Sequence, residues 1–164
     1  MHTGHAVYST IHSDTSNQII RRLVNEPFNI PPLELSTLQI IVIQYRDRRT
    51  GVRRTYEITE VSPSAGGGID LNRLYLWHPR KDSFEKANES LRVFEELNLH
   101  TGLTPRELER DIKEKEKVLR WMLKNETRDI NDVGTIASIY YRDPEFLLKA
   151  INKRWNVNKV IEKW

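Results

Sequence analysis

The sequence predicts an α/β protein with strands and a hairpin in its first half and helices alone in its second half. Residues 38–43 are a continuous apolar run, which is typical of a strand in a central sheet that is covered on both faces. Two β-rich stretches within residues 44–58 are separated by Thr50-Gly51, and this pattern predicts a hairpin. From Glu89 onward the apolar residues recur at helical spacing. We therefore expect a first domain over 1–86 and a helical domain over 87–164.

Shorter elements fill the first half. Residues 5–12 are rich in β-branched and aromatic side chains and predict a short buried strand. Apolar spacing predicts a helix over 15–25, and Pro32 is suited to the first turn of a short helix. A further strand is expected over 71–77, closed by a turn over 78–82.

The second half carries clear helix signals. A first helix is expected to end at Thr101-Gly102, and residues 104–107 form a capping box with proline at the first helical position. The long helix that follows is predicted to bury Leu108, Ile112, Leu119, Met122 and Leu123. Two more helices are expected over 130–141 and from 144 to about 155.

Composition excludes several classes of protein. The chain has 164 residues, no cysteine and a formal net charge of +3. The missing cysteines exclude disulfide scaffolds, thiol nucleophiles, cysteine-based zinc sites and iron–sulfur clusters. No apolar run approaches the roughly 18 residues of a membrane-spanning helix, and the first residues lack the features of a secretory signal. We expect a cytoplasmic protein.

Two histidines attract attention at the start of the chain. His5 and His12 are seven residues apart, so on a strand they would point to opposite faces and would not share a metal ion. We therefore predict no metal site. His12 ends the predicted strand just before a helix, where open α/β sheets bind ligands and where helix N-termini favour phosphate.

The predicted hairpin carries five arginines around one turn: Arg46, Arg48, Arg49, Arg53 and Arg54. These arginines could contact nucleic-acid phosphates, lie solvated at the hairpin tip, or form a subunit contact. Nucleic acid is disfavoured because the positive excess of the chain is small. The glycine triplet at 66–68 is a flexible loop and not a phosphate loop, since no glycine is followed by lysine.

The start of the chain resembles the histidine box of a known family, the secretion ATPases that power type II and type IV secretion, type IV pili and the archaeal flagellum. The residues that carry this resemblance are Thr3, Gly4, His5, Ser9, Thr10, His12, Ser13 and Asp14. Residues 72–77, followed by Pro79, Asp82 and Phe84, are similar to the archaeal branch. The absence of the four-cysteine zinc insert of bacterial type II enzymes favours the same branch, and the resemblance extends over nearly the whole chain.

The resemblance implies a C-terminal part of a RecA-like P-loop ATPase core in residues 1–86, followed by an all-α helical tail. The full form would be a homo-hexamer that uses ATP and Mg²⁺ and binds a membrane platform protein, peripheral to the inner face of the membrane. The Walker A loop, the acidic box and the Walker B segment that a member carries before its histidine box are not in this sequence, and Gln44 ends the apolar strand where Walker B would need a carboxylate. We therefore expect that this chain alone neither binds ATP tightly nor hydrolyses it, and that it needs the missing N-terminal part of the ATPase.

Carried over residue by residue, the resemblance makes His12 the candidate for sensing the γ-phosphate or positioning water. Thr10 and His5 are expected to support it near the nucleotide. Met1 falls where the family also tends to have methionine, which suggests an internal start, a split gene or a truncated chain.

The alternative hypothesis is a stand-alone module that binds protein or nucleic acid through the arginine-rich hairpin 46–54. Exposed apolar surface would distinguish the two hypotheses, because part of a RecA-like sheet would leave the edge beside residues 38–43 uncovered.

Overall fold

The computed structural model describes residues 7–164 and divides the chain into two compact units, Met1–His100 and Thr101–Trp164. The predicted mixed α/β class is confirmed, since the chain contains a four-stranded antiparallel sheet and several helices. The sequence placed a domain boundary between 86 and 87, whereas the compact units divide between His100 and Thr101. The helix that begins at Val93 belongs with the sheet because its first backbone N–H is bound by a strand carboxylate, Glu60.

The first unit is built around an antiparallel sheet in which each strand pairs with the next along the chain, in the order β1-β2-β3-β4. Its elements are α1 (Ser16–Val24), α2 (Pro32–Leu35), β1 (Ile40–Arg46), β2 (Arg53–Pro63), β3 (Ile69–His78), β4 (Ser83–Lys86) and α3 (Val93–Thr101), the last residue of which begins the second unit.

The predicted hairpin is confirmed between β1 and β2. Gly51 has a φ of +74°, in the left-handed region that glycine adopts without strain. Asp47 closes the turn, because its backbone N–H donates to Val52 at 2.8 Å and its carboxylate accepts from the Arg49 N–H at 2.8 Å.

The prediction that residues 38–43 lie in a central strand covered on both faces is wrong. β1 is at the edge of the sheet and alternates in burial: Ile41 and Ile43 are buried, whereas Ile40 and Val42 are 37% and 46% exposed. The physical reason is that an antiparallel sheet needs cover on one face only. Here Ile19 of α1 joins Ile41 and Ile43 in the core cluster of this unit.

The strand predicted over residues 5–12 is also not found. Residues 5 and 6 lie outside the described residues, and 7–12 have no strand conformation. A strand needs a neighbour for its backbone hydrogen bonds, and within residues 7–164 no segment pairs with this one. Only Ile11 of this segment packs against the core cluster, whereas Tyr8 is 96% exposed.

The second unit contains helices alone: α4 (Pro105–Lys124), α5 (Ile130–Arg142), α6 (Pro144–Asn152) and α7 (Val157–Lys163). The predicted capping box is confirmed, with the Thr104 and Glu107 side chains each bonded to the other's backbone N–H. The helix expected to reach residue 155 ends earlier, and a fourth helix, not predicted, begins after Asn156, whose side chain accepts from the Lys159 N–H.

The predicted buried face of α4 is wrong in part. The buried residues of this helix are Leu108, Val118, Trp121 and Met122. Ile112, Leu119 and Leu123 are instead exposed by 48%, 59% and 76%. The buried face is the one that carries Trp121. The large side chain of Trp121 joins the core of this unit, and its indole N–H donates to the Trp155 carbonyl at 2.9 Å.

Candidate functional site

The segment before α1 carries two of the candidate site residues of the predicted histidine box, Thr10 and His12. Its main chain is held by the helix that follows: the Arg22 guanidinium donates to the His12 carbonyl, and the Gln18 side chain accepts from the Ser13 hydroxyl and from the Asp14 N–H. The position of this segment therefore depends on α1, although its backbone is irregular.

Both candidate side chains on this segment lie in solvent. Thr10 and His12 are exposed, and neither side chain hydrogen-bonds another residue in the part of the chain that the structure describes. His5, the third predicted residue, lies outside the described residues. The structure thus places the backbone of the histidine-box segment but does not bring the Thr10 and His12 side chains together.

A buried polar network lies where α1 meets the sheet. The Ser16 hydroxyl, in the first turn of α1, donates to Thr59 at 3.0 Å, and Thr59 donates to the Glu57 carboxylate at 2.7 Å. Arg73 donates to the other Glu57 oxygen at 3.1 Å. These bonds satisfy a carboxylate that is only 2% exposed, and they anchor the helix that positions His12.

This network was not predicted from the sequence, although a signal was present. Glu57, Thr59 and Val61 alternate along β2, so a strand with Val61 in its core must place the carboxylate of Glu57 on the same buried face. A carboxylate on such a face requires partners, and the sequence alone did not show that Ser16 and Arg73 lie nearby.

A second buried carboxylate anchors the chain before α3. Glu60 is fully buried and accepts hydrogen bonds from the Ser90 hydroxyl at 2.6 Å and from the backbone N–H groups of Leu91, Arg92 and Val93 at 2.9, 3.1 and 2.8 Å. Burial alone would raise the pKa of Glu60, but these hydrogen bonds, with one from Asn72, lower that pKa to about 2. Glu60 therefore carries a negative charge that caps the start of α3.

The outer edge of β1 is one uncovered feature of the first unit. Within residues 7–164 no strand pairs with this edge. Ile40 and Val42 project from the exposed face of the same strand. A strand edge with unpaired backbone groups and exposed apolar side chains favours association with another chain.

The arginines of the hairpin divide into two groups. Arg54 binds both carboxylate oxygens of Asp82 at 2.7 Å, and this pairing, with a hydrogen bond from the Trp77 indole, lowers the pKa of Asp82 to about 2. The other four are exposed and form no ion pair with another described residue: Arg46, Arg48, Arg49 and Arg53. All five arginines look alike in the sequence, and only the structure separates Arg54 from the rest.

Two open notches occur, one in each unit. The first, of about 350 Å³, is lined by residues of β2, β3 and β4 and of the turn before β4, including Arg54, Trp77 and Phe84. The second, of about 260 Å³, lies between α4 and α5 and includes Asp111 and Tyr140. Neither notch is lined by Thr10 or His12. Over residues 7–164, no three His, Asp or Glu side chains cluster as a metal site would require. Within the same residues, none of the helices combines the length and the apolar character of a membrane-spanning segment.

Comparison with known proteins finds similarity to longer archaeal proteins. No family model matches the chain. Three proteins of the archaeon Methanocaldococcus jannaschii, all named as uncharacterized, resemble it. MJ0781 is 34% identical over 146 residues, MJ1287 is 35% identical over 127 residues, and MJ0900 is 27% identical over 148 residues.

These matches take in most of the present chain but only part of each relative. They cover 87%, 74% and 86% of this chain, respectively. The chain spans 20% of the length of MJ0781, 46% of MJ1287 and 27% of MJ0900. The same stretch of sequence therefore occurs within larger archaeal proteins.

Proposed function

We propose that this chain is the C-terminal portion of a secretion ATPase of the archaeal branch, which drives protein export or the assembly of a pilus or archaeal flagellum. The first unit would complete a RecA-like core and the second would be its helical tail. The observation that carries the proposal is the uncovered edge of β1, with Ile40 and Val42 exposed, because a separated part of a larger sheet leaves such an edge.

Two further observations support the proposal. The histidine-box resemblance falls on the segment that α1 and its buried network hold in place. The three M. jannaschii relatives are longer than this chain, as a protein with further core segments would be.

The residues present do not form a complete site for ATP and Mg²⁺. The sequence has no phosphate loop, and within residues 7–164 no side-chain cluster fits a metal ion. Phosphoryl transfer needs a phosphate-binding lysine and a metal ligand, and those groups would come from the missing N-terminal part. In the complete homo-hexamer, His12 would sense phosphate or position water, with Thr10 and His5 beside it, and a membrane platform protein would be the partner.

The first experiment separates this chain from the assembled enzyme. We expect that titration of the chain with Mg-ATP in a calorimeter gives no heat and that it releases no phosphate. Co-expression with the remainder of MJ0781, from which the stretch matching this chain has been removed, is expected to restore ATP hydrolysis. Turnover by the chain alone, or no turnover by the pair, would contradict the proposal.

The second experiment tests His12 in the same assembled pair. We expect His12→Ala to lower phosphate release at least roughly tenfold, because a group that contacts the reacting phosphate or water supplies stabilisation of that size or more. The matched control is His100→Ala, which removes an exposed histidine from α3 and should leave the rate unchanged. Equal rates for both variants would remove His12 from the site.

A further inference from the structure

Two turns that are far apart in sequence lie at one end of the sheet. Because the strands form an antiparallel meander, the β1–β2 turn and the β3–β4 turn lie at the same end. The Arg54–Asp82 pair, with two bonds of 2.7 Å, joins the first hairpin to the second turn. We call this the basic end and define it by the two turns, residues 47–52 and 79–82, and the strand residues next to them.

The basic end carries an excess of free positive charge. Five exposed arginines there form no ion pair with any residue in 7–164: Arg46, Arg48, Arg49, Arg53 and Arg80. The acidic groups of this end are already engaged, since Asp47 accepts from its own turn, Asp82 binds Arg54, and Glu85 lies 3.2 Å from His78 and 3.8 Å from Lys81. Unpaired guanidinium groups attract an anionic partner and pair well with carboxylates.

An apolar notch opens beside these charges. The 350 Å³ notch is lined by Arg54, Thr55, Ile58, Trp77, Asp82 and Phe84. The Arg54, Trp77 and Asp82 side chains in its wall are bound to one another, and the Thr55 hydroxyl is bound to Gln44. The apolar surface of the notch includes Ile58 and the Phe84 ring, which is 44% exposed. The notch can therefore accept an aliphatic or aromatic side chain without leaving a polar group unpaired.

We propose that the basic end binds an acidic segment of a partner protein, with carboxylates on the free arginines and one apolar side chain in the notch. Charge complementarity favours an anionic occupant, and the notch distinguishes between kinds of anion. A nucleic-acid base would need hydrogen bonds to its edge, whereas in the wall of the notch Asp82 already binds two N–H groups of Arg54 and the indole N–H of Trp77. This site does not depend on the proposed ATPase function.

The experiment uses defined probes with the intact chain. The first probe is a fluorescent peptide of glutamates with a single central leucine; the second has glutamate in place of that leucine. We expect the leucine peptide to bind several-fold more tightly, because only it fills the notch. Arg48→Gln with Arg49→Gln should weaken binding of both peptides about tenfold, and added salt should weaken binding further.

A matched control removes two positive charges elsewhere. Lys124→Gln with Arg128→Gln changes exposed residues of the second unit and should leave peptide binding unchanged. The variant Phe84→Ala should abolish the preference for leucine. If that change lowers the melting temperature, the two peptides still test the notch on the unaltered protein.

Several results would overturn the proposal. Equal affinity for the two peptides would show that the notch is not part of the site. Equal losses of affinity in the two double variants would show that binding depends only on the net charge of the protein. Tighter binding to oligothymidylate, or to phosphatidylglycerol vesicles, than to the leucine peptide would assign the basic end to nucleic acid or to a lipid surface.

Discussion

Glu60 shows how one buried residue can couple a strand to the chain that follows it. Its carboxylate binds the Ser90 hydroxyl and three consecutive backbone N–H groups at the start of α3, an arrangement that only the ionised form fully satisfies. A buried charge is stable only with such partners, and protonation of one carboxylate oxygen leaves the groups bound to that oxygen facing a donor instead of an acceptor.

We predict that Glu60→Gln lowers the free energy of unfolding at neutral pH by about 3 kcal/mol, since each pKa unit corresponds to about 1.4 kcal/mol and the pKa falls from 4.5 to about 2. A lowered pKa stabilises the fold above the unfolded-state value and loses that effect as the pH falls toward 2. Urea unfolding measured from pH 6 down to pH 2, in steps of roughly one unit, should therefore show a slope in the wild type that is reduced in the variant.

The control for this prediction is Glu89→Gln. Glu89 is exposed and its side chain pairs with Lys86 at the surface, so the change should cost less than about 0.5 kcal/mol. If both variants unfold at the same urea concentration, Glu60 does not anchor α3.

Tyr140 presents the opposite case, a neutral group that becomes costly when it ionises. Burial, followed by its hydrogen bond of 2.9 Å to Asp111, raises the pKa of Tyr140 above its usual value of 10.0. The folded state therefore favours the neutral phenol, and this contribution is complete below pH 10 and declines as the pH rises above that value.

We expect Tyr140→Phe to cost about 1 kcal/mol at neutral pH, because the Asp111 carboxylate loses one donor and keeps Lys115. The variant should also lose less stability than the wild type as the pH is raised from about 9 to about 11, a range of roughly one unit on each side of the usual pKa of the phenol. Chemical unfolding followed by circular dichroism measures both quantities. Tyr8→Phe, at a position that is 96% exposed, serves as the control and should change neither quantity.

Among the secondary-structure elements, the starts of the helices depend on capping residues that can be recognised in the sequence. At the start of each helix of the second unit, one side chain accepts a hydrogen bond from a backbone N–H of the first turn. These side chains are Thr104 for α4, Asp129 for α5, Asp143 for α6 and Asn156 for α7. Pro105 and Pro144 occupy first-turn positions where their missing N–H groups cost nothing.

For the longest helix, Thr104→Ala should lower the free energy of unfolding by about 1 kcal/mol, since it removes the hydroxyl that binds the Glu107 N–H. Thermal unfolding followed by circular dichroism provides the measurement. Ser138→Ala, an exposed change within α5, is the control and should lie within about 0.5 kcal/mol of wild type. Equal melting temperatures for Thr104→Ala and the wild type would show that the capping box is dispensable.

For the whole molecule, we expect the outer edge of β1 to determine association in solution. We predict that the isolated chain self-associates as its concentration rises and that Val42→Lys reduces this association, because a charge on an edge strand disfavours strand pairing. Sedimentation velocity over a concentration series measures it.

The control is Val133→Lys, which places the same charge at an exposed valine in α5, away from any strand edge. This variant should associate as the wild type does. A wild-type chain that stays monomeric at all concentrations would count against an uncovered edge and favour a stand-alone module.

Elements whose causes are local could be predicted from the sequence. The β1–β2 turn follows from Asp47 and Gly51, and the start of α4 follows from Thr104, Pro105 and Glu107. Each depends on bonds between residues that are close along the chain, so the pattern of residue types is enough to predict them. The mixed α/β class follows in the same way from the change of apolar spacing along the chain.

Which faces are buried and which side chains meet depends on contacts between segments that are distant along the chain. An apolar run such as 38–43 has the same composition whether one face or both are covered, and its position at the sheet edge depends on strand order. Arg73, which bonds Glu57, and Ser90, which bonds Glu60, come from segments distant in sequence. The pairing of Arg54 with Asp82 likewise joins residues that are far apart along the chain. The histidine box was visible as a pattern, but the position of His12 depends on α1 and on the buried bonds that anchor that helix.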